Sequence, residues 1–149
     1  MVAARLTALG AEVRLSHNGE GVKNLDTLIP EFRAWTPDIN VSIHFNSVAD
    51  NADPNKAQGV ETYYSYAQSK LLAQTMLDSF SELTGIVKRS SKGGYYKVSR
   101  FTDFPSILFE TAFICNPNEY EWFMQSENMD TAASAIVAGI VAYFTKLSK

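Results

Sequence analysis

The sequence predicts an α/β fold: a mostly parallel, twisted sheet with helices on both faces. Three observations predict it. Helix-like and strand-like segments alternate along the chain, the pattern of crossover connections between parallel strands. Two strand-like runs, Asp38–Ser47 and Pro105–Glu110, are apolar enough to be buried on both faces, as strands covered by helices are. The chain has 149 residues, 46% of them apolar and 19% charged, which suits one domain with a sizeable core.

Met1–Leu9 reads as a helix whose Val2, Leu6 and Leu9 share a face, stopped by Gly10. It lacks a capping Ser, Thr, Asp or Asn and an acidic first turn, so the natural chain is expected to extend further toward its N-terminus. Glu12–Leu15 is a short strand candidate, and Ser16–Gly21 is a polar loop holding His17. Leu25, Leu28, Ile29, Phe32 and Trp35 recur at helical spacing until Thr36-Pro37 stops them. In Asp38–Ser47, Val41, Ile43 and Phe45 alternate with Ser42, His44 and Asn46, the period of a strand.

Val48–Gln58 reads as a polar surface loop, and Gly59 leads into a strand at Val60–Tyr64. Ser69–Leu83 carries the stripe Leu72, Met76 and Phe80 of a helix, with Gly85 as its stop. Arg89–Gly94 reads as a flexible basic loop and Tyr95–Ser99 as a short strand. Ser106–Phe109 is a strand ending on Glu110, and Asn116-Pro117 opens a short helix through Phe123. A last helix, Thr131–Lys146, ends on basic residues that suit its negative end.

The net charge of -3 implies no broad basic surface and argues against nucleic acid as a partner. The single cysteine, Cys115, excludes an internal disulfide framework and a cysteine-built zinc site, and an apolar stretch around it suits an inert thiol. The longest nearly apolar run, Ala132–Phe144, spans about 13 residues against the ~18 of a membrane crossing, so no transmembrane segment is expected.

The candidate chemistry lies at two strand ends. Ligands of open α/β sheets sit at the carboxyl ends of strands, where His44 stands on one run and Glu110 closes the other. An imidazole and a carboxylate so placed are residue types that a zinc hydrolase needs. Taken alone, His44 also suits a core histidine bonded to a backbone carbonyl, and Glu110 the start of a polar loop. Glu61, set among tyrosines, suits a cross-strand or supporting partner better than a ligand. His17 suits a solvated loop histidine.

Five blocks carry a resemblance: V-S-I-H-F-N-S (41–47), G-V-E-T-Y-Y (59–64), K-R-S-S-K (88–92), Y-K-V-S-R (96–100) and P-S-I-L-F-E-T-A-F-I-C-N-P (105–117). In these blocks and their order the sequence resembles the zinc-dependent N-acetylmuramoyl-L-alanine amidases of the Amidase_3 type. The resemblance implies an α/β sheet sandwiched by helices. It implies a peptidoglycan hydrolase that uses Zn2+ and cuts the amide between N-acetylmuramic acid and the L-alanine of the stem peptide.

His44 then corresponds to the last of three zinc ligands. Glu110 corresponds to the catalytic glutamate, which takes a proton from the zinc-activated water and passes it to the leaving nitrogen. Asn46, Arg89, Lys92 and Arg100 become candidate substrate contacts, the arginines suited to stem-peptide carboxylates. Tyr95, Tyr96, Phe101 and Phe104 either flank a glycan groove or belong to core and rim.

The family's other two ligands, a histidine and a glutamate, lie upstream of the first long helix, a region without a counterpart here. The expectation is one amidase-like domain over residues 1–149 that lacks its N-terminal strand. It would act outside the cytoplasm on the bacterial cell wall, as an autolysin or an endolysin. The alternatives are a non-catalytic amidase-like wall-binding domain, or another zinc amidohydrolase or peptidase.

Overall fold

Capping residues and a glycine set the ends of three helices. The structure is a computed structural model that describes residues 1–16, 19 and 24–148. The loop histidine His17 lies outside the described residues. Among those described, the helices are α1 (Val2–Ala8), α2 (Leu25–Trp35), α3 (Lys70–Thr84), α4 (Pro117–Met124) and α5 (Ser126–Leu147). The strands are β1 (Asn40–Asn46), β2 (Val60–Tyr64), β3 (Lys88–Gly93) and β4 (Ser106–Phe113).

Asn24 caps α2 by accepting the Asp26 N–H at 2.9 Å, and Thr36 ends the helix in the left-handed region at φ 51°. Gly85 ends α3 in the same region at φ 74°, where a residue without Cβ fits best. Asn116 caps α4, whose first turn holds Pro117, so the missing proline N–H costs nothing.

The sheet order is β1-β4-β2-β3. β1 with β4 and β2 with β3 run parallel, and only β4 with β2 runs antiparallel. The mostly parallel sheet is therefore present. On one face, α3 and α5 pack together over Val60, Ile107 and Phe109. Phe80 meets Phe109 edge-on with ring centroids 5.2 Å apart, and burying each ring contributes ~1.5–3 kcal/mol. On the other face, a 3-10 turn at Lys97–Ser99 covers the start of β1 and β4, and α2 reaches it through Phe32 against Phe101.

Several sequence expectations need correction. The expectation that β1 is buried on both sides does not hold. This strand lies at the sheet edge with β4 as its neighbour, leaving Ile43 44% and Phe45 41% exposed. Glu12–Leu15 forms no strand, having no ladder partner among the described residues. Arg89–Gly94 is not a loop but most of β3, because β2 supplies backbone partners and Glu61 holds its basic side chains. Tyr95–Ser99 is no strand and ends in the 3-10 turn.

Helix α5 starts at Ser126 rather than near Thr131. Its 22 residues are long and apolar enough to cross a membrane by length and composition. In the fold its buried side, including Ala135, Ile136 and Ile140, packs on α3. Gly139 permits the approach: a Cβ there would fall 2.8 Å from Met76 Sδ.

Candidate active site

Residues paired across neighbouring strands project from the same face of a sheet, with strands ≈ 4.7–4.9 Å apart. His44 of β1 pairs with Glu110 of β4, Glu110 pairs with Glu61 of β2, and Glu61 pairs with Ser90 of β3. One row therefore carries an imidazole and two carboxylates side by side. The adjacent row on that face is Ser42, Leu108, Tyr63 and Lys92. The register of β2 with β3 shifts between Val60 and Glu61, which leaves Arg89 unpaired in the ladder. That irregularity lets Arg89 turn toward Glu61 together with Ser90.

Glu61 is only 4% exposed, and donors surround it. Its Oε2 accepts from Tyr63 Oη at 2.8 Å and Asn46 Nδ2 at 2.9 Å. Its Oε1 accepts from Arg89 Nε at 3.0 Å, Lys92 Nζ at 3.1 Å and Ser90 Oγ at 3.3 Å. Burial pushes the carboxyl up, but the hydrogen bonds from Tyr63, Arg89 and Lys92 outweigh it and hold Glu61 below the ordinary carboxylate range. Burial and the same carboxylate push the Tyr63 phenol upward.

Glu110 has the opposite surroundings. Its Oε2 is buried without a hydrogen-bond partner. Burial first, and then the charge of Glu61, raise its carboxyl above the ordinary range. A carboxyl shifted upward in this way has a proton affinity suited to proton transfer near neutral pH. His44 is exposed beside it, with Nε2 3.0 Å from Ser42 Oγ, while Thr111 Oγ1 donates to the His44 carbonyl at 2.9 Å.

The fit of zinc follows from the donors. A catalytic zinc takes three protein ligands and keeps one position open. Among the described residues no group of three His, Cys, Asp or Glu side chains converges to hold an ion. Glu61 is already enclosed by donors, so the row offers the imidazole of His44 and one free carboxylate oxygen on Glu110. These residues do not by themselves fit a catalytic zinc.

Of the candidate contacts, Asn46, Arg89 and Lys92 converge on Glu61. Arg100 stands apart, its guanidinium 4.6 Å over the Tyr95 ring in a separate cleft. Phe101 and Phe104 stack at 4.8 Å and are buried, so they are core rather than groove wall. Tyr96 lies edge-on against Tyr63 at 4.9 Å. Cys115 is free and half-buried, not fully buried as its apolar neighbours suggest.

Sequence reasoning missed two residues that hold the site together. Tyr63 shares the Glu61 face by simple period-two alternation, a signal that was readable. Glu119, three residues after the cap Asn116, is the position of a capping box. Its carboxylate instead accepts the Gly59 N–H at 2.6 Å and the Phe113 N–H at 2.7 Å, tying the entry of β2 to the end of β4. Gly59 has φ +106°, and a Cβ there would lie 2.4 Å from the Val87 carbonyl oxygen. Asn116 Nδ2 donates to the Ala57 carbonyl at 2.9 Å and completes the tie.

A family profile described as N-acetylmuramoyl-L-alanine amidase matches residues 1–142. Among curated relatives, the N-acetylmuramoyl-L-alanine amidase LytC of Bacillus subtilis is 33% identical over 147 residues, covering 96% of this chain and 29% of LytC. The probable cell wall amidase LytH of Staphylococcus epidermidis is 29% identical over 136 residues, covering 91% of this chain and 44% of LytH. The chain thus spans less than half the length of these relatives. Among solved structures, the amidase AmiC2 of Nostoc punctiforme superposes with a TM-score of 0.88 at 28% identity, covering 97% of this chain and 78% of AmiC2. The catalytic domain of CwlV from Bacillus (Paenibacillus) polymyxa gives 0.87 at 27% identity, covering 97% of this chain and 79% of CwlV.

Proposed function

The chain belongs to the N-acetylmuramoyl-L-alanine amidase family, and from that premise we propose that it carries the proton-transferring half of a peptidoglycan amidase centre. Its substrate is the amide between N-acetylmuramic acid and the L-alanine of the stem peptide, met outside the cytoplasm on the bacterial cell wall. The observation that carries this reading is the unpartnered, buried Oε2 of Glu110 in register between His44 and Glu61.

Glu110 acts as general base and then general acid. It takes a proton from the water that attacks the scissile carbonyl, then returns that proton to the nitrogen as the C–N bond breaks. The transfer needs the carboxylate ≈ 2.6–3.2 Å from that water, and the rigid β4 backbone holds it in place. Its raised affinity for protons makes it a better base than a free glutamate, since no cation in the row is left to neutralise it. Arg89 and Lys92 are spent on Glu61, which therefore stays charged and fixed. Asn46 adds to that fixation from β1 and serves the substrate through it.

Zinc is the ion that family membership implies. His44 is the donor this chain would offer it, but the described residues bring no group of three, and the chemistry assigned here is that of Glu110. That same shortfall favours a second reading, an amidase-like domain that binds the wall without cutting it.

Purified bacterial walls, incubated with the protein as the cell makes it, separate the two. New alanine N-termini that disappear with Glu110→Gln are expected. Wall binding with no such termini would overturn cleavage and establish binding alone.

A further inference from the structure

We propose that the cleft around Arg100 is a carboxylate subsite, taking an acidic group of the peptide a few residues beyond the amide that Glu110 handles. The identity of the peptide rests on the amidase reading above, but the existence of the subsite does not.

The cleft has a volume of about 260 Å³ and is lined by Arg33, Tyr66, Tyr95, Lys97, Arg100 and Thr102, among others. Two of its cations are occupied. Arg33 Nε lies 3.3 Å from Asp103 Oδ2, and Lys97 Nζ lies 2.7 Å from Asp26 Oδ1. Among the described residues no carboxylate is paired with Arg100. Its guanidinium carbon lies 4.6 Å over the ring of Tyr95, a residue that is itself 71% exposed. A guanidinium held over a ring and without a carboxylate partner keeps a fork able to receive a carboxylate in two parallel hydrogen bonds. The neighbouring Tyr95 hydroxyl holds the Tyr66 phenol above its ordinary range, so Tyr66 stays a neutral donor beside an incoming anion.

The position is also set. Ser106 Oγ and Asn40 Nδ2 both donate to the Val98 carbonyl, at 2.8 Å and 3.0 Å, which seats the turn before Arg100 on the sheet. Asn40 and Ser106 pair with each other and, by alternation, share the face of His44 and Glu110. From Ser106 to Glu110 the strand advances about 13 Å, at roughly 3.3 Å per residue. An extended peptide covers that span in about four residues. Tyr63 pairs with Leu108, between the Ser106 and Glu110 rows, and Tyr96 packs edge-on against it. Of the three basic residues Arg89, Lys92 and Arg100, the first two are consumed by Glu61.

Calorimetric titration tests this without cleavage. The probes are a tetrapeptide with N-terminal alanine and free side-chain and terminal carboxylates, and its fully amidated twin. The acid should bind about tenfold tighter, the worth of one charge-assisted pair. Arg100→Ala should erase that preference, and Arg100→Lys should keep part of it, with thermal midpoints confirming that both fold. Equal affinity for acid and amide, or a preference that survives in Arg100→Ala or in full in Arg100→Lys, would overturn the subsite. Walls that yield no new alanine N-termini with the parent protein, or termini that persist in Glu110→Gln, would overturn the amidase reading and leave this binding result intact.

Discussion

Glu110 and Glu61 stand opposite one another across the antiparallel β4–β2 pair, and their surroundings are inverse. Glu61 collects hydrogen bonds from Asn46, Tyr63, Arg89, Ser90 and Lys92, while Glu110 Oε2 has none. Neighbouring carboxylates cannot both be charged cheaply. The protein settles the conflict by spending every nearby cation on one of them. Glu61 stays ionised, and Glu110 is left with a heightened hold on its proton.

That asymmetry fixes a pH dependence for Glu110. Its carboxyl lies above the ordinary range in the fold because of burial and then Glu61. A folded value above the unfolded one gives stability that is fully present below the unfolded value and lost as pH rises through the folded one. Urea midpoints should therefore fall for the parent protein relative to Glu110→Gln as pH is raised from 4 to neutrality. A gap between the two that stays flat across this range would contradict the assignment.

Glu61 carries the opposite sign. Burial raises its carboxyl, but the donated hydrogen bonds win and leave it lowered, so its stabilisation is present above the ordinary carboxylate range and lost as pH falls through the folded value. Glu61→Gln should cost about 1–3 kcal/mol at pH 7, below the cost of breaking a fully buried pair because Arg89 and Lys92 keep access to water. The difference between parent and variant should close on acidification. Denaturant titrations at pH 7 and pH 3 check both statements.

Metal uptake tests the donor set. With His44 the lone imidazole among the described residues and no group of three donors, the chain by itself should hold zinc only weakly, with a dissociation constant well above the micromolar range. His44→Ala should remove what binding remains. Equilibrium dialysis with metal analysis reads both. A full equivalent of tightly held zinc that survives His44→Ala would show that other donors build the site.

Much of the framework was legible because it is written in short periods. The spacing of Leu72, Met76 and Phe80 marks α3, the alternation of Val41, Ile43 and Phe45 marks β1, and Asn116-Pro117 marks the start of α4. Gly59 and Gly85 stand where the backbone takes positive φ. His44 and Glu110 were visible as strand-end candidates because each closes an apolar run with a chemically capable side chain.

Sequence alone therefore determined the five helices, the strands β1, β2 and β4, their order, the mostly parallel sheet and which two residues deserved attention. Tertiary structure decided that β4 runs between β1 and β2, which places Glu110 between His44 and Glu61, and that β1 takes the edge. It also made a strand of the polar stretch Lys88–Gly93, whose side chains carry no apolar alternation. The reason is one of range. Periodicity and capping are properties of a few consecutive residues, whereas a strand's neighbour and a carboxylate's charge depend on groups brought together from distant parts of the chain, and only the folded arrangement brings them there.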